Sequence, residues 1–196
     1  KYENISKEID LVVYTAAIHP DNPELVATKD LAIPSLTRAQ LLGQMMKNYK
    51  TPIAISGTHG KTTTTSMLSE ILLKADTDPT LSIGGILKSI QGNIRIGKSS
   101  YFVTEACEYT NSFLHFFPKY SIILNVEAEH LDFFKDLEDV RNSFHSFAGN
   151  TKEDGVIIIN GEIENYEALV AGIPAKVISY GLTEGYDYYP ANFTFD

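Results

Sequence analysis

The sequence predicts an α/β fold, a mostly parallel sheet flanked by helices, on three observations. Short apolar runs recur along the chain, amphipathic stretches separate them, and one apolar run feeds a glycine-bearing loop that opens a helix. Apolar runs without strict alternation are the mark of strands buried on both faces, and their alternation with helices implies parallel crossovers. Ligands on such a sheet sit beyond the carboxyl ends of its strands.

Taken in order, residues 10–14 (DLVVY) read as a buried strand. Residues 19–24 (HPDNPE) form a turn in which Asn22 caps a helix with Pro23 at its first position. Residues 31–35 (LAIPS) are expected to be a second short strand, and Thr37 is placed to cap an amphipathic helix carrying Leu41, Leu42, Met45 and Met46. Residues 49–52 (YKTP) read as a hinge before the apolar strand at 53–55 and the loop-helix unit that follows. Beyond it, residues 80–83 are a weak strand, and Gly84-Gly85 mark a turn or a close backbone approach. Strands are expected at 100–104, ending on Glu105, and at 120–125. An acidic loop, a helix at 137–147 and strands at 155–160 and 175–180 complete the alternation. Tyr186, Tyr188, Tyr189, Phe193 and Phe195 partly alternate, as an antiparallel edge would.

With 196 residues, 43% hydrophobic and 21% charged, the chain is long enough for one large or two small domains. A formal net charge of −9 disfavours non-specific nucleic-acid binding, although a local pocket can still carry positive field. The single cysteine, Cys107, excludes an internal disulfide and a thiolate-rich zinc site. No apolar run approaches the ~20 residues that span a bilayer, and the cytoplasm is the expected compartment. The chain starts at Lys1 and stops on residues 192–196 (NFTFD) without a closing element, so a fragment of a longer protein is expected.

The chemistry concentrates in three clusters. Residues 53–65 (IAISGTHGKTTTT) place Gly57, Thr58, His59, Gly60, Lys61, Thr62 and Thr63 where strand meets helix. Backbone N–H groups and the helix N-terminus there favour phosphate, a lysine reaches its outer oxygens, and a hydroxyl meets the metal. Position 55, where the general eight-residue pattern wants glycine, is Ile55. The second cluster is residues 105–109 (EACEY), an acid at the tip of a buried strand, suited to the Mg²⁺ that bridges nucleotide phosphates; taken alone, it could also be a solvated acid at a strand end. The third is residues 125–132 (NVEAEHLD), with His130 among three acids and an asparagine; a metal or phosphate role and a structural one are equally open for it. His59 faces substrate or metal, or is simply exposed; His19, His115 and His145 read as packing or surface residues, and Lys98 and Lys119 as solvated.

Together these segments resemble the Mur ligase family, the ATP-dependent amide-forming enzymes that build the peptidoglycan stem peptide. The resemblance rests on residues 57–65, on Glu105-Ala106-x-Glu108, on residues 112–115 (SFLH), and on Asn125-x-Glu127-Ala128-x-His130-x-Asp132, with residues 16–18 (AAI) and 21–24 (DNPE) matching the late part of a first domain. It implies a phosphate-loop central domain at 51–196, incomplete, preceded at 1–50 by the end of a Rossmann-like domain that holds the UDP portion of the substrate. It also implies ATP and Mg²⁺: Lys61 at the phosphates, Thr62 and Glu105 as metal ligands, His130 at a second metal, with Lys61, Glu105 and His130 as the catalytic set. The implied reaction joins an amino acid to the carboxylate of UDP-N-acetylmuramate through an acyl phosphate. L-alanine is the acceptor in the branch these motifs most resemble, and the fragment is expected to be inactive alone.

Departures from the family pattern are visible. Cys107 and Thr110 stand where relatives often carry Asp, which lowers the acidic count near the metal and leaves open whether Glu108 compensates. Cys107 itself reads as a small packing residue. The helix after the histidine cluster (VRNSFH, 140–145) lacks the lysine that other branches carbamylate, in keeping with the alanine-adding branch. Three alternatives stand beside this reading. A branch that reattaches recycled tripeptide is expected to carry extra residues between Tyr109 and Phe117. A phosphate-loop kinase or NTPase has no need of the cluster at 125–132. A non-catalytic nucleotide-binding module would tolerate loss of Glu105 and His130.

Overall fold

In the computed structural model, which describes residues 1–191, fourteen helices and strands follow one another. They are β1 (Val12–Tyr14), α1 (Pro23–Asp30), β2 (Ser35–Thr37), α2 (Arg38–Met46), β3 (Thr51–Ser56), α3 (Lys61–Lys74), β4 (Thr80–Leu87), β5 (Gly92–Arg95), β6 (Tyr101–Ala106), β7 (Tyr120–Ile123), α4 (Leu137–Gly149), β8 (Val156–Asn160), α5 (Tyr166–Val170) and β9 (Lys176–Tyr180). Strands β1 and β2 form a small parallel pair; the other seven form one sheet in the order β5-β4-β6-β3-β7-β8-β9. Every pairing in that sheet is parallel except β4 with β5. The α/β class read from the sequence is thus the observed one.

The sheet separates two cores by strand parity. On β3 and β6, Ala54, Phe102 and Ala106 join Ile123, Ile157 and Ile159 in a core completed by Met46 of α2 and Phe144 and Phe147 of α4. Ile53, Ile55, Leu81, Ile83 and Val103 point the other way, where α3 packs Leu68, Leu72 and Leu73 against them. Phe113, fully buried, stacks on Phe147 (4.8 Å between centroids) and meets Phe144 edge-on (5.2 Å). Among the described residues, no helix is long and apolar enough to cross a membrane.

Local signals worked where their chemistry is short-range. Asn22 accepts from Glu24 N–H at the start of α1, and Thr37 with Gln40 forms a reciprocal capping box on α2. The expected strand at 31–35 is displaced: β2 begins at Ser35, because Ala32 has φ 52° and Pro34 offers only a carbonyl, which accepts from Val12 N–H. The expected hinge at 49–52 is not one either. Tyr49 packs on Phe102 and donates to Thr80 Oγ1 (3.0 Å), and Thr51-Pro52 already belong to β3. At Gly43, a Cβ would lie 2.0 Å from the carbonyl oxygen of His115, so only glycine lets α2 approach the turn at Tyr109–His115 this closely. The weak strand at 80–83 runs on through Gly84-Gly85 to Leu87 and turns back into β5, which the sequence reading missed. Tyr188 makes only an isolated bridge to Tyr180, parallel rather than antiparallel; Phe193 and Phe195 lie outside the described residues. Lys119, expected to be solvated, pairs with Asp154 (2.8 Å).

Candidate active site at the carboxyl ends of three central strands

The register of β3 with its neighbours builds the site. Ile55 lies opposite Glu105 of β6 and Ile122 of β7, so three strand ends finish level, on the sheet edge where the strand order reverses. Because side chains alternate, Glu105 shares the face of Val103, which α3 covers, and its carboxylate points at the first turn of that helix.

The loop from β3 to α3 needs its glycines. Gly57 has φ 141°, and a Cβ there would stand 2.9 Å from Leu124 Cβ; Gly60 has φ 80° and caps α3 without a side chain. With no side-chain cap, the first-turn N–H groups of Lys61, Thr62 and Thr63 have no acceptor within the helix and suit an anion. Thr58 and His59 serve the loop's shape. Thr58 N–H donates to Asn125 O (3.2 Å), and His59 N–H to Asn125 Oδ1 (2.7 Å). Asn125 Nδ2 donates back to His59 O (3.1 Å), and Thr58 Oγ1 accepts from Glu127 N–H (2.9 Å). Asn125 therefore clamps the loop from the end of β7. The sequence quoted it within a motif but gave it no role. The His59 ring is exposed and faces Glu127 (3.6 Å) and Glu129 (3.5 Å).

Around the loop the polar groups sort into two adjoining nodes. In the first, Thr62 Oγ1 donates to Glu105 Oε2 (2.9 Å), while Glu105 Oε1 accepts from Gly84 N–H. Gly84 leaves room for that carboxylate: a Cβ would fall 2.7 Å from Oε2 and 2.9 Å from Oε1. In the second, Lys61 Nζ donates to Gly57 O, to Thr58 O (3.1 Å) and to Glu108 (2.9 and 3.2 Å), and His130 Nε2 lies 3.5 Å from Glu108 Oε1. The sequence-derived set Lys61, Thr62, Glu105 and His130 is brought to one end of the sheet, but the carboxylate that His130 meets is Glu108. Tyr109 packs against the His130 ring in a tilted arrangement (4.6 Å between centroids, 36° between planes), and its hydroxyl donates to Asp132 (2.8 Å), which pushes the phenol pKa up.

Among the described residues no group of three His, Cys, Asp or Glu is arranged to hold a metal ion by itself. The donor set nevertheless fits magnesium handled with a nucleotide. A hydroxyl and a carboxylate in contact are hard oxygen ligands, and Mg²⁺ ordinarily takes one or two protein oxygens, completing its shell with phosphates and water. Cys107 is exposed rather than packed, which corrects the sequence reading; partial desolvation and the Glu108 charge raise its thiol pKa. With Thr15, Thr37, Arg38, Glu105, Ser112 and Phe116 it lines a cleft of about 130 Å³ between the β1–β2 unit and the end of β6.

Comparisons with known proteins identify the family and the fold. The model for the Mur ligase middle domain matches residues 55–196, and that for the Mur ligase family, catalytic domain, matches residues 1–50. A UDP-N-acetylmuramate–L-alanine ligase from Agathobacter rectalis is 66% identical over 99% of the chain, which covers 42% of that relative. The solved UDP-N-acetylmuramate-alanine ligase from Thermotoga maritima superposes with TM-score 0.79 at 30% identity, over 94% of this chain and 41% of that one. The UDP-N-acetylmuramate:L-alanyl-γ-D-glutamyl-meso-diaminopimelate ligase from Neisseria meningitidis gives TM-score 0.81 at 26% identity, over 88% and 59%. The chain thus spans about two-fifths of the length of the curated relatives it matches.

Proposed function

Given that the chain belongs to the Mur ligase family, we propose that it supplies the phosphate-handling part of an ATP-dependent ligase joining L-alanine to the carboxylate of UDP-N-acetylmuramate, a cytoplasmic step of peptidoglycan precursor synthesis. The observation that carries this reading is the meeting of Lys61 and Thr62, at the start of α3, with Glu105 and Glu108 beyond β6. In this reading residues 1–50 contribute to the nucleotide-sugar unit and residues 51–196 to the ATP unit. Similarity to the UDP-N-acetylmuramate–L-alanine ligase of A. rectalis supports the choice of L-alanine.

A carboxylate is a poor electrophile. One of its oxygens attacks the γ-phosphorus, the bond to the β-phosphate oxygen breaks, and ADP departs. The mixed anhydride then offers the acyl carbon to the amine, which releases inorganic phosphate and a proton. Lys61 stabilises charge on the phosphoryl oxygens as it redistributes, and Gly60 to Thr63 cradle the phosphate chain. Thr62 and Glu105 hold magnesium, which supplies charge neutralisation at the triphosphate. His130 is positioned for a second metal or a phosphate oxygen. The cleft beside Glu105 and Arg38 is suited to the carboxylate end of the substrate.

The experiment is phosphate release by the full-length protein with UDP-N-acetylmuramate against L-alanine, glycine, L-serine and the recycled tripeptide, repeated with Lys61→Ala. Release dependent on L-alanine, and reduced by about 10³-fold in the variant, is expected. Wild-type turnover in Lys61→Ala, or release indifferent to any acceptor, overturns the reading; a preference for tripeptide transfers it to the recycling branch.

A further inference from the structure

Glu108 does not belong to the metal-binding pair, and its setting explains what it does instead. Its side chain is 2% exposed, against 34% for His130. A carboxylate this deep must be paired: Lys61 Nζ donates to Oε2 at 2.9 Å, and His130 Nε2 lies 3.5 Å from Oε1. Lys61 has three N–H donors, and Gly57 O, Thr58 O and Glu108 use them all. One buried side chain from the end of β6 thus ties the loop after β3 to the segment after β7.

The backbone around it is held against its own preference. His130 has φ 55°, and Thr110 and Asn111, just after Glu108, have φ 55° and 56°. Three non-glycine residues in the left-handed region persist only where their surroundings over-determine them. Here Ser143 donates to Asn111, Asn111 N–H returns to Glu108 O (2.9 Å), and the Tyr109 ring packs, tilted, against His130.

We propose that Glu108 is a positioning residue for phosphoryl transfer: its carboxylate anchors the Lys61 ammonium and the His130 imidazole together, and sets where both meet the nucleotide. This rests on the proposed ligase reading. It acts through those two groups, since its burial leaves no room for phosphate or metal. A negative charge fixed beside the phosphate site also opposes ground-state binding of a triphosphate. Alignment and affinity therefore trade against each other at this one side chain.

The test is Glu108→Gln in the full-length protein, with MgATP affinity by calorimetry, kcat by phosphate release, and thermal unfolding. The glutamine keeps the shape and removes the charge. MgATP is expected to bind at least about threefold tighter, while kcat falls at least about tenfold. Unchanged or weaker MgATP binding overturns the proposal, because a merely structural role does not tighten a ligand. If the wild type binds MgATP but forms no amide, the ligase reading fails while the affinity comparison still decides the role of Glu108. Should the variant not fold, a crystal structure of the wild type with a non-hydrolysable ATP analogue decides. Lys61 Nζ bridging Glu108 and a phosphate oxygen, one of its two loop carbonyls exchanged for the phosphate, is expected, and an ammonium that has left Glu108 refutes the anchor.

Discussion

Consider Gly84→Ala, a substitution that adds one methyl group 21 residues away in sequence from the carboxylate it would disturb. The new Cβ would lie 2.7 Å from Glu105 Oε2, and ordinary contact begins at 3.4 Å, so the carboxylate must retreat by 3.4 − 2.7 = 0.7 Å. That movement is taken up by the far end of a flexible side chain, and Gly84 is exposed with no positive φ. Stability should therefore change by less than about 1 kcal/mol, because the lost hydrogen-bond geometry is offset by reduced freedom in the unfolded chain. Activity should respond far more. The contact between Glu105 and Thr62 is 2.9 Å, and a ligand displaced by most of an ångström misaligns the reacting phosphate; an error of about 1 Å can reduce rate by about 10²-fold. The assay is phosphate release by the full-length protein across a magnesium titration, beside a denaturant melt. A kcat lowered roughly tenfold or more, with a raised magnesium requirement and a near-normal melt, is expected. Wild-type kcat and magnesium dependence would refute the assignment of Glu105 to the metal, and a collapse in stability would make Gly84 a folding residue instead.

Two further substitutions probe separate parts of the argument. Asn125→Ala removes the acceptor of His59 N–H (2.7 Å) and the donor to His59 O (3.1 Å), so the loop loosens. At about 1 kcal/mol per bond, MgATP affinity should fall roughly tenfold or more by calorimetry, and undiminished affinity would show that the loop holds its shape unaided. Asp78 sits far from the site, where Lys98 N–H and the Arg95 guanidinium hold its carboxyl below the usual range. A folded-state pKa below the unfolded one contributes stability at neutral pH that is lost as pH falls through the folded value. Asp78→Asn should therefore melt below wild type at neutral pH, and the two curves should converge in acid; a gap that is constant with pH would contradict this.

The fold was legible because its signals are local and repeated. Apolar strands, the Asn22 and Thr37 caps, and the strand–glycine–lysine junction each depend on neighbours within a turn or two. What escaped depends on distant partners. Strand β5 has Ile94 facing solvent at 62% exposure, so its four residues carry no pattern to read; it exists because β4 continues and offers it an edge. The face on which Glu105 lies could be read from strand parity alone. Glu108 could not, because the chain has left the strand and passes through two left-handed residues before its next regular element, so no period predicts where its side chain points. Asn125 stood in a quoted motif, yet its task is set by a loop 66 residues earlier.

The proposed ATP site also raises the question of how a chain of net charge −9 would hold a triphosphate. Lys61 is the cation of the loop, and Glu108 already offsets it at 2.9 Å. Glu105 adds a second negative charge beside Thr62, while Glu127 and Glu129 flank His59 on the far side of the loop. Backbone dipoles at the start of α3 supply roughly half a positive charge, too little against a tri- or tetra-anion. The protein alone therefore presents a site close to neutral or negative, and the balance must come from divalent cations that arrive with the nucleotide. Chelation of magnesium should then reduce ATP affinity by about 10²-fold or more, far beyond the response to moderate salt, which screens exposed charges but reaches the buried Lys61–Glu108 pair poorly. ATP bound equally well in EDTA would mean that the loop reads phosphate through its backbone alone, and that Glu105 faces no metal.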